Sequence, residues 1–156
     1  MTTEPTVPAR ASDRLTPDAA LAQLVNELAD AVIIADVEGR MVLWNQAASR
    51  LFGWTAEETL GRSLDLIIPE RFRARHWAGY ERVMASGETR YGTRLLEVPA
   101  LHCDGETRSI AFTVTLLRGT DGAVTGIAAV VRDDTARRSE LQALRSELSE
   151  LRADRS

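Results

Sequence analysis

DGETRSIAFTVTLLRGTDGAVTGIAAVVR, residues 104–132, decides the architecture. Between Thr107 and Leu117 the apolar residues Ile110, Phe112, Val114 and Leu116 recur at every second position, the period of a strand with one buried face. Asp104-Gly105 is a turn dipeptide in front of it, GTDG (Gly119 to Gly122) turns the chain behind it, and Val124 to Arg132 supplies the next strand. Upstream, Tyr91 to His102 reads as a long strand joined to this one through Asp104-Gly105, and Pro99 inside it predicts a bulge or an unpaired N–H. Three antiparallel strands therefore close the globular part.

Towards the N-terminus the period changes. Pro69 opens the longest internal helix, Glu70 to Ala85, and Ser86-Gly87 ends it. Three shorter helical stretches precede it. Asn45 caps one that Gly53 stops; Thr55 with Glu58 three residues on forms a capping box for a second that Gly61 ends; Ser63 to Ile68 makes one more turn. Before these, AVIIAD (Ala31 to Asp36) and RMVLW (Arg40 to Trp44) flank the turn at Glu38-Gly39 as a hairpin. The order predicts an α+β domain over residues 30–135, with a five-stranded antiparallel sheet and short helices on one face.

Two amphipathic segments flank it. Thr16 caps a helix within residues 14–29 whose Leu21, Leu24, Val25 and Leu28 form a stripe, and this stripe must dock on the domain's own sheet or on a second subunit. Over residues 136–156, Leu141, Leu144, Leu148 and Leu151 take a and d positions of two heptads, a coiled-coil-like helix in need of a partner. Both stripes predict a homodimer. Residues 1–13, rich in Thr, Pro and charge, read as a disordered tail.

Composition narrows the function. The 156 residues carry 19 Lys plus Arg against 23 Asp plus Glu, a net charge of −4, so no uniformly basic surface is available for nucleic acid. No apolar run approaches the ~20 residues of a membrane-spanning helix, and the N-terminus has no apolar signal-peptide core. The one cysteine, Cys103, forms no internal disulfide or thiolate cage and points to a reducing cytoplasm. Cys103 and His102, beside the Asp104-Gly105 turn, are expected to face solvent. No phosphate loop, GxSxG or HExxH occurs, and the acids Asp133-Asp134 and Glu57-Glu58 sit at helix starts, so no enzyme is expected.

The segments WNQAASRLFGWTAEETLGR (Trp44 to Arg62), LIIPERFRARH (Leu66 to His76), the Asp104-Gly105 turn and VVRDDTARR (Val130 to Arg138), taken in order and spacing, resemble a PAS domain. In the closing segment Asp134 stands where that family usually has an aliphatic residue. The resemblance implies a sensory, dimerising module that passes a signal to an effector such as a histidine kinase or transcription regulator, carried on another polypeptide or elsewhere in a longer receptor.

His76 is the residue on which the choice among ligands turns. Phe72 lies four residues before it, Tyr80 four after and Val83 seven after, so it shares an apolar face aimed at the sheet. Periodicity alone reads it as a core histidine. The oxygen-sensing haem PAS domains of histidine kinases and a related phosphodiesterase carry their proximal histidine at the position that Pro69, Arg73 and His76 mark. That resemblance implies haem b on His76 and a diatomic gas (O2, CO or NO) or redox state as signal. It assigns Arg82 to a propionate and gives Leu96 and Arg94 the places of distal groups. Phe72, Tyr80, Ile110, Phe112 and Val114 are the remaining pocket candidates. The alternatives are a ligand-free interaction module and a site for another small organic ligand. The resemblance implies no light-driven cysteine adduct, because blue-light PAS relatives need a cysteine in the segment after Gly61 and GRSLDLIIPE (Gly61 to Glu70) has none.

Overall fold

A computed structural model of the chain describes residues 15–154; the tail expected over 1–13 lies outside them. The elements are α1 (Pro17–Glu27), β1 (Ala31–Asp36), β2 (Met41–Trp44), α2 (Gln46–Phe52), α3 (Ala56–Thr59), a 3-10 turn (Leu64–Leu66), α4 (Glu70–Ser86), β3 (Leu96–Leu101), β4 (Thr107–Arg118), β5 (Val124–Asp133) and α5 (Thr135–Ala153). The five strands form one antiparallel sheet in the order β2-β1-β5-β4-β3.

Local chemistry accounts for the helix limits. Thr16 accepts from the Ala19 N–H, Asn45 from Ala48, and Thr55 and Glu58 make the reciprocal capping box. Gly53 and Gly87 close α2 and α4 in the left-handed conformation that L side chains avoid. Gly53 is also a contact point, since a Cβ there would sit 2.4 Å from Cys103 Sγ. The Cys103 N–H donates to the Phe52 carbonyl at 2.8 Å, so the β3–β4 turn closes over the end of α2.

Three expectations are corrected. β3 begins at Leu96 rather than Tyr91, because the Arg94 N–H turns back to the Tyr91 carbonyl at 2.7 Å and Gly92 takes a positive φ. Residues 91–95 are exposed, so nothing anchors them to the sheet. Pro99 causes no bulge: β3 runs in unbroken register with β4 from Leu96 to Leu101. β3 is an edge strand, and the Leu101 N–H leaves it for the Ile67 carbonyl; Pro99, two residues earlier, turns its nitrogen to that same outer edge. His102 does not face solvent. Its side chain is 18% exposed, with Nδ1 3.0 Å from Asp104 Oδ1.

The core lies between the sheet and helices α2 to α4, centred on Phe52, Met41, Trp44 and Ile33. α1 packs beside α2, where Asn45 Nδ2 donates to the Val25 carbonyl at 2.8 Å. Val25 and Leu28 are half-buried there, while Leu21 and Leu24 stay 59% and 57% exposed.

Candidate functional site

α4 lies across the sheet and is moored along its length. Arg73 donates to the carbonyls of Ile68 and Asp65, both at 3.1 Å, and Trp77 Nε1 donates to Asp65 Oδ1 at 2.8 Å. The Trp77 ring covers Gly39 so closely that a Cβ there would meet it at 2.2 Å. One turn on, the Tyr80 hydroxyl donates to the Asp36 carbonyl, and burial with the Asp36 charge pushes its pKa up to about 12. At the C-terminal end the Arg118 guanidinium donates to the carbonyls of Gly87 and Gly122. A helix held at this many points keeps a fixed height above the sheet.

Under it is a cavity of about 140 Å³. Strand period two builds its floor: Ile110, Phe112 and Val114 of β4 lie beside Val131 and Ala129 of β5, which pair on to Ala31 and Ile33 of β1. Phe52, Ile67 and Tyr80 close the sides, and His76 is on the wall. Of the candidates from sequence, His76, Tyr80, Ile110, Phe112 and Val114 are thus brought together. Phe72 and Leu96 are half-buried and outside the lining; Arg82 is exposed on α4, and Arg94 is exposed in the turn ahead of β3. Phe72 instead carries the Arg71 guanidinium 4.7 Å above its ring. Ile33, Ala35, Phe52, Ile127, Ala129 and Val131 also line it and were not among the pocket candidates from sequence; along β5 the apolar Ala128 and Val130 between the other three hide which face is inward.

His76 is the polar feature of this wall. Its ring meets Trp77 edge-on at 4.8 Å and Tyr80 at 5.7 Å between centroids. Its Nδ1 is buried with no hydrogen-bond partner among the described residues. Burial lowers its pKa, opposed by the Asp65 charge, so the ring is neutral at pH 7 and offers one donor and one acceptor nitrogen.

The sign of the pH effect follows. The folded state disfavours imidazolium, so below the ordinary imidazole pKa, about 6.5, the unfolded chain binds more protons than the folded one. Stability therefore falls with pH through that value and levels off below the depressed folded pKa. The expected result is that wild-type and His76→Asn differ by a constant amount above pH 7.5, with the wild type losing stability relative to the variant from pH 7 to 5 in urea titrations. Parallel curves throughout would mean that the folded protein solvates the imidazolium fully.

Two strands of the cavity floor, β4 and β5, also hold the start of the C-terminal helix. β5 runs into α5, and the Asp134 N–H donates to the Ser109 carbonyl at 2.8 Å while Thr135 Oγ1 accepts from the Ser109 N–H at 3.1 Å. Asp134 is 7% exposed. Its carboxylate is paired with Arg137 Nε at 2.6 Å, which holds its pKa below the usual carboxylate range, and Arg137 also reaches Glu97 of β3. An ion pair thus occupies the junction at the position where the resembled family usually has an aliphatic residue.

The protein-family model described as the PAS fold matches residues 19–133. The chain is 37% identical to a protein of Azorhizobium caulinodans, over 85% of its own length and 18% of the relative's. It is 27% identical to the sensor protein FixL of Bradyrhizobium diazoefficiens, over 82% of its length and 26% of the relative's. The chain therefore spans about a quarter or less of these curated relatives. Among solved structures, the PAS domain of a protein from Colwellia psychrerythraea superposes with a TM-score of 0.66 at 20% identity, over 75% of this chain and 96% of that one, a likeness of fold.

Proposed function

The chain belongs to the PAS family, and from that premise we propose that it is a sensory module whose signal is a small, largely apolar organic ligand held in the cavity between α4 and the sheet. The observation that carries this is the cavity itself: about 140 Å³, walled by aliphatic and aromatic groups with His76 as polar contact, and floored by the two strands that lead to α5. An apolar cavity of comparable size is known to stay dry and to take benzene-sized guests. Ligand and α5 communicate only through contacts that differ between the filled and empty states. Ile110, Phe112 and Val114 touch the ligand, and Ser109, the next residue back along β4, binds the first residues of α5. In the same reading two copies pair through the stripes of α1 and α5, and the output belongs to an effector such as a histidine kinase or transcription regulator.

A second reading is haem b with His76 as axial ligand. It is favoured by the neutral imidazole on the cavity wall and by the likeness to the sensor protein FixL. The cavity does not fit the macrocycle as it stands. Its volume is below the roughly 300–1,000 Å³ of sites for larger ligands, and among the described residues no arginine lines it to meet a propionate.

One preparation tests both. Protein from haem-supplemented cells is expected to be colourless, with melting temperature raised by several degrees by small neutral aromatic or aliphatic compounds. Ala129→Phe, which fills the cavity from its floor, is expected to abolish the shift in a folded domain. A Soret band lost in His76→Ala would overturn the organic-ligand reading in favour of haem, and a shift that survives Ala129→Phe would move the binding site elsewhere.

A further inference from the structure

Resting on the reading of the cavity proposed above, we infer that its ligand is a phenol, a neutral single aromatic ring with one hydroxyl group, and that the His76 imidazole holds that hydroxyl. The lining sets each part of this description. Among the described residues it has two polar side chains, His76 and Tyr80, and the rest are hydrocarbon. Tyr80 gives its one proton to the Asp36 carbonyl. Beneath them β1 and β5 are flanked by strands on both sides, so their backbone groups are engaged in the sheet. The imidazole is left over. Its Nδ1 is buried without a partner among the described residues, and a buried polar atom in that condition costs stability until something pairs with it.

Charge narrows the class. Among the described residues no Lys, Arg, Asp or Glu lines the cavity, and burial keeps the His76 ring neutral at pH 7. A carboxylate or ammonium entering it would lose its hydration with no opposite charge to replace it. A plain hydrocarbon would fit but would leave the imidazole unpaired. A hydroxyl both donates and accepts, so it answers the imidazole whichever ring nitrogen carries the proton. Size and shape narrow it again. About 140 Å³ is room for one six-membered ring. The rings of Phe52, Tyr80 and Phe112 stand around that space, and aromatic rings gain from tilted contact, as His76 and Tyr80 already do at 5.7 Å. A phenolic hydroxyl has the acidity of a tyrosine side chain, so it is neutral at pH 7 yet a stronger donor to an imidazole nitrogen than an aliphatic alcohol.

Calorimetric titration of the full chain with phenol, benzene and benzoate at pH 7.5 is the test. Phenol is expected to bind roughly tenfold more tightly than benzene, the contribution of one buried hydrogen bond, and benzoate not to bind. In His76→Leu phenol and benzene are expected to bind alike, since the apolar walls remain and the partner of the hydroxyl is gone. Ala129→Phe is expected to remove binding of both. Equal affinity of phenol and benzene for the wild type would overturn the hydroxyl assignment and leave the apolar-ligand reading standing. A preference for phenol that survives in His76→Leu would do the same. Benzoate binding as tightly as phenol would overturn the neutrality of the ligand. Failure of both phenol and benzene to bind would overturn the reading of the cavity itself. Should His76→Leu not fold, the order of the three compounds on the wild type decides.

Discussion

Phe52→Ala is expected to cost about 3–5 kcal/mol, the range for emptying a fully buried aromatic site. Phe52 is 0% exposed and the largest of the fully buried side chains. Its ring tilts against Trp44 at 5.3 Å between centroids and forms part of the cavity wall, so its removal joins the space it leaves to space that already exists. The surroundings cannot collapse to fill it, because Gly53 behind it is in contact with Cys103 and His102 and the Phe52 carbonyl is bound to the Cys103 N–H. For a domain with total stability of about 5–15 kcal/mol, such a loss takes away about a fifth or more, and the melting temperature should drop by roughly 10 °C. Urea unfolding measures the free energy. The enlarged cavity also makes a second observation available: small apolar compounds should restore more stability to Phe52→Ala than they add to the wild type. A loss below 1 kcal/mol would mean that α2 is not anchored through this ring.

Phe52 also shows what was legible in advance and what was not. Its place on the apolar face of a helix capped by Asn45 and stopped by Gly53 is local information, since capping and left-handed termination depend on a few neighbouring residues. Strand β4 was legible for a similar reason, since its alternation runs long enough to exclude a helix, and β5 was placed by the GTDG turn in front of it. The start of β3 was not, because Tyr91 to Leu95 has the residue types of a strand but no partner to bury against, and Gly92 lets the chain turn. The site divides in the same way. His76, Tyr80 and the even-numbered residues of β4 follow from the faces of two regular elements. Arg94 goes with the unanchored turn at Gly92, and where Arg82 stands depends on how α4 sits over the sheet, which is set by Trp77 on Gly39 and Tyr80 on Asp36, contacts between residues nearly forty or more apart. No local pattern encodes such a distance.

Asn45→Ala is expected to lose about 1.5–5 kcal/mol and to loosen α1 in particular. Asn45 is 2% exposed and uses all of its side chain. Oδ1 accepts from the N–H of Val32 at 2.9 Å and of Ala48 at 3.0 Å, and Nδ2 donates to the carbonyls of Val25 at 2.8 Å and Asp30 at 3.0 Å. One amide thus ties α1, β1 and α2 to the end of β2. Alanine removes a helix cap, about 0.5–2 kcal/mol. It also strands the buried Val32 N–H at about 1–3 kcal/mol, while the half-buried carbonyls of Val25 and Asp30 can turn to water. Asn45→Asp separates the two halves of this role: the carboxylate still accepts from Val32 and Ala48 but sets negative charge against two carbonyl oxygens. Hydrogen exchange should therefore show Val32 and Ala48 unprotected in Asn45→Ala and still protected in Asn45→Asp, with the α1 amides exchanging faster in both. Unchanged α1 exchange would place the hold on that helix in the half-buried Val25 and Leu28 instead. Because Leu21 and Leu24 lie exposed on the same short helix, its release would disturb the surface through which two copies are proposed to meet without touching the cavity wall.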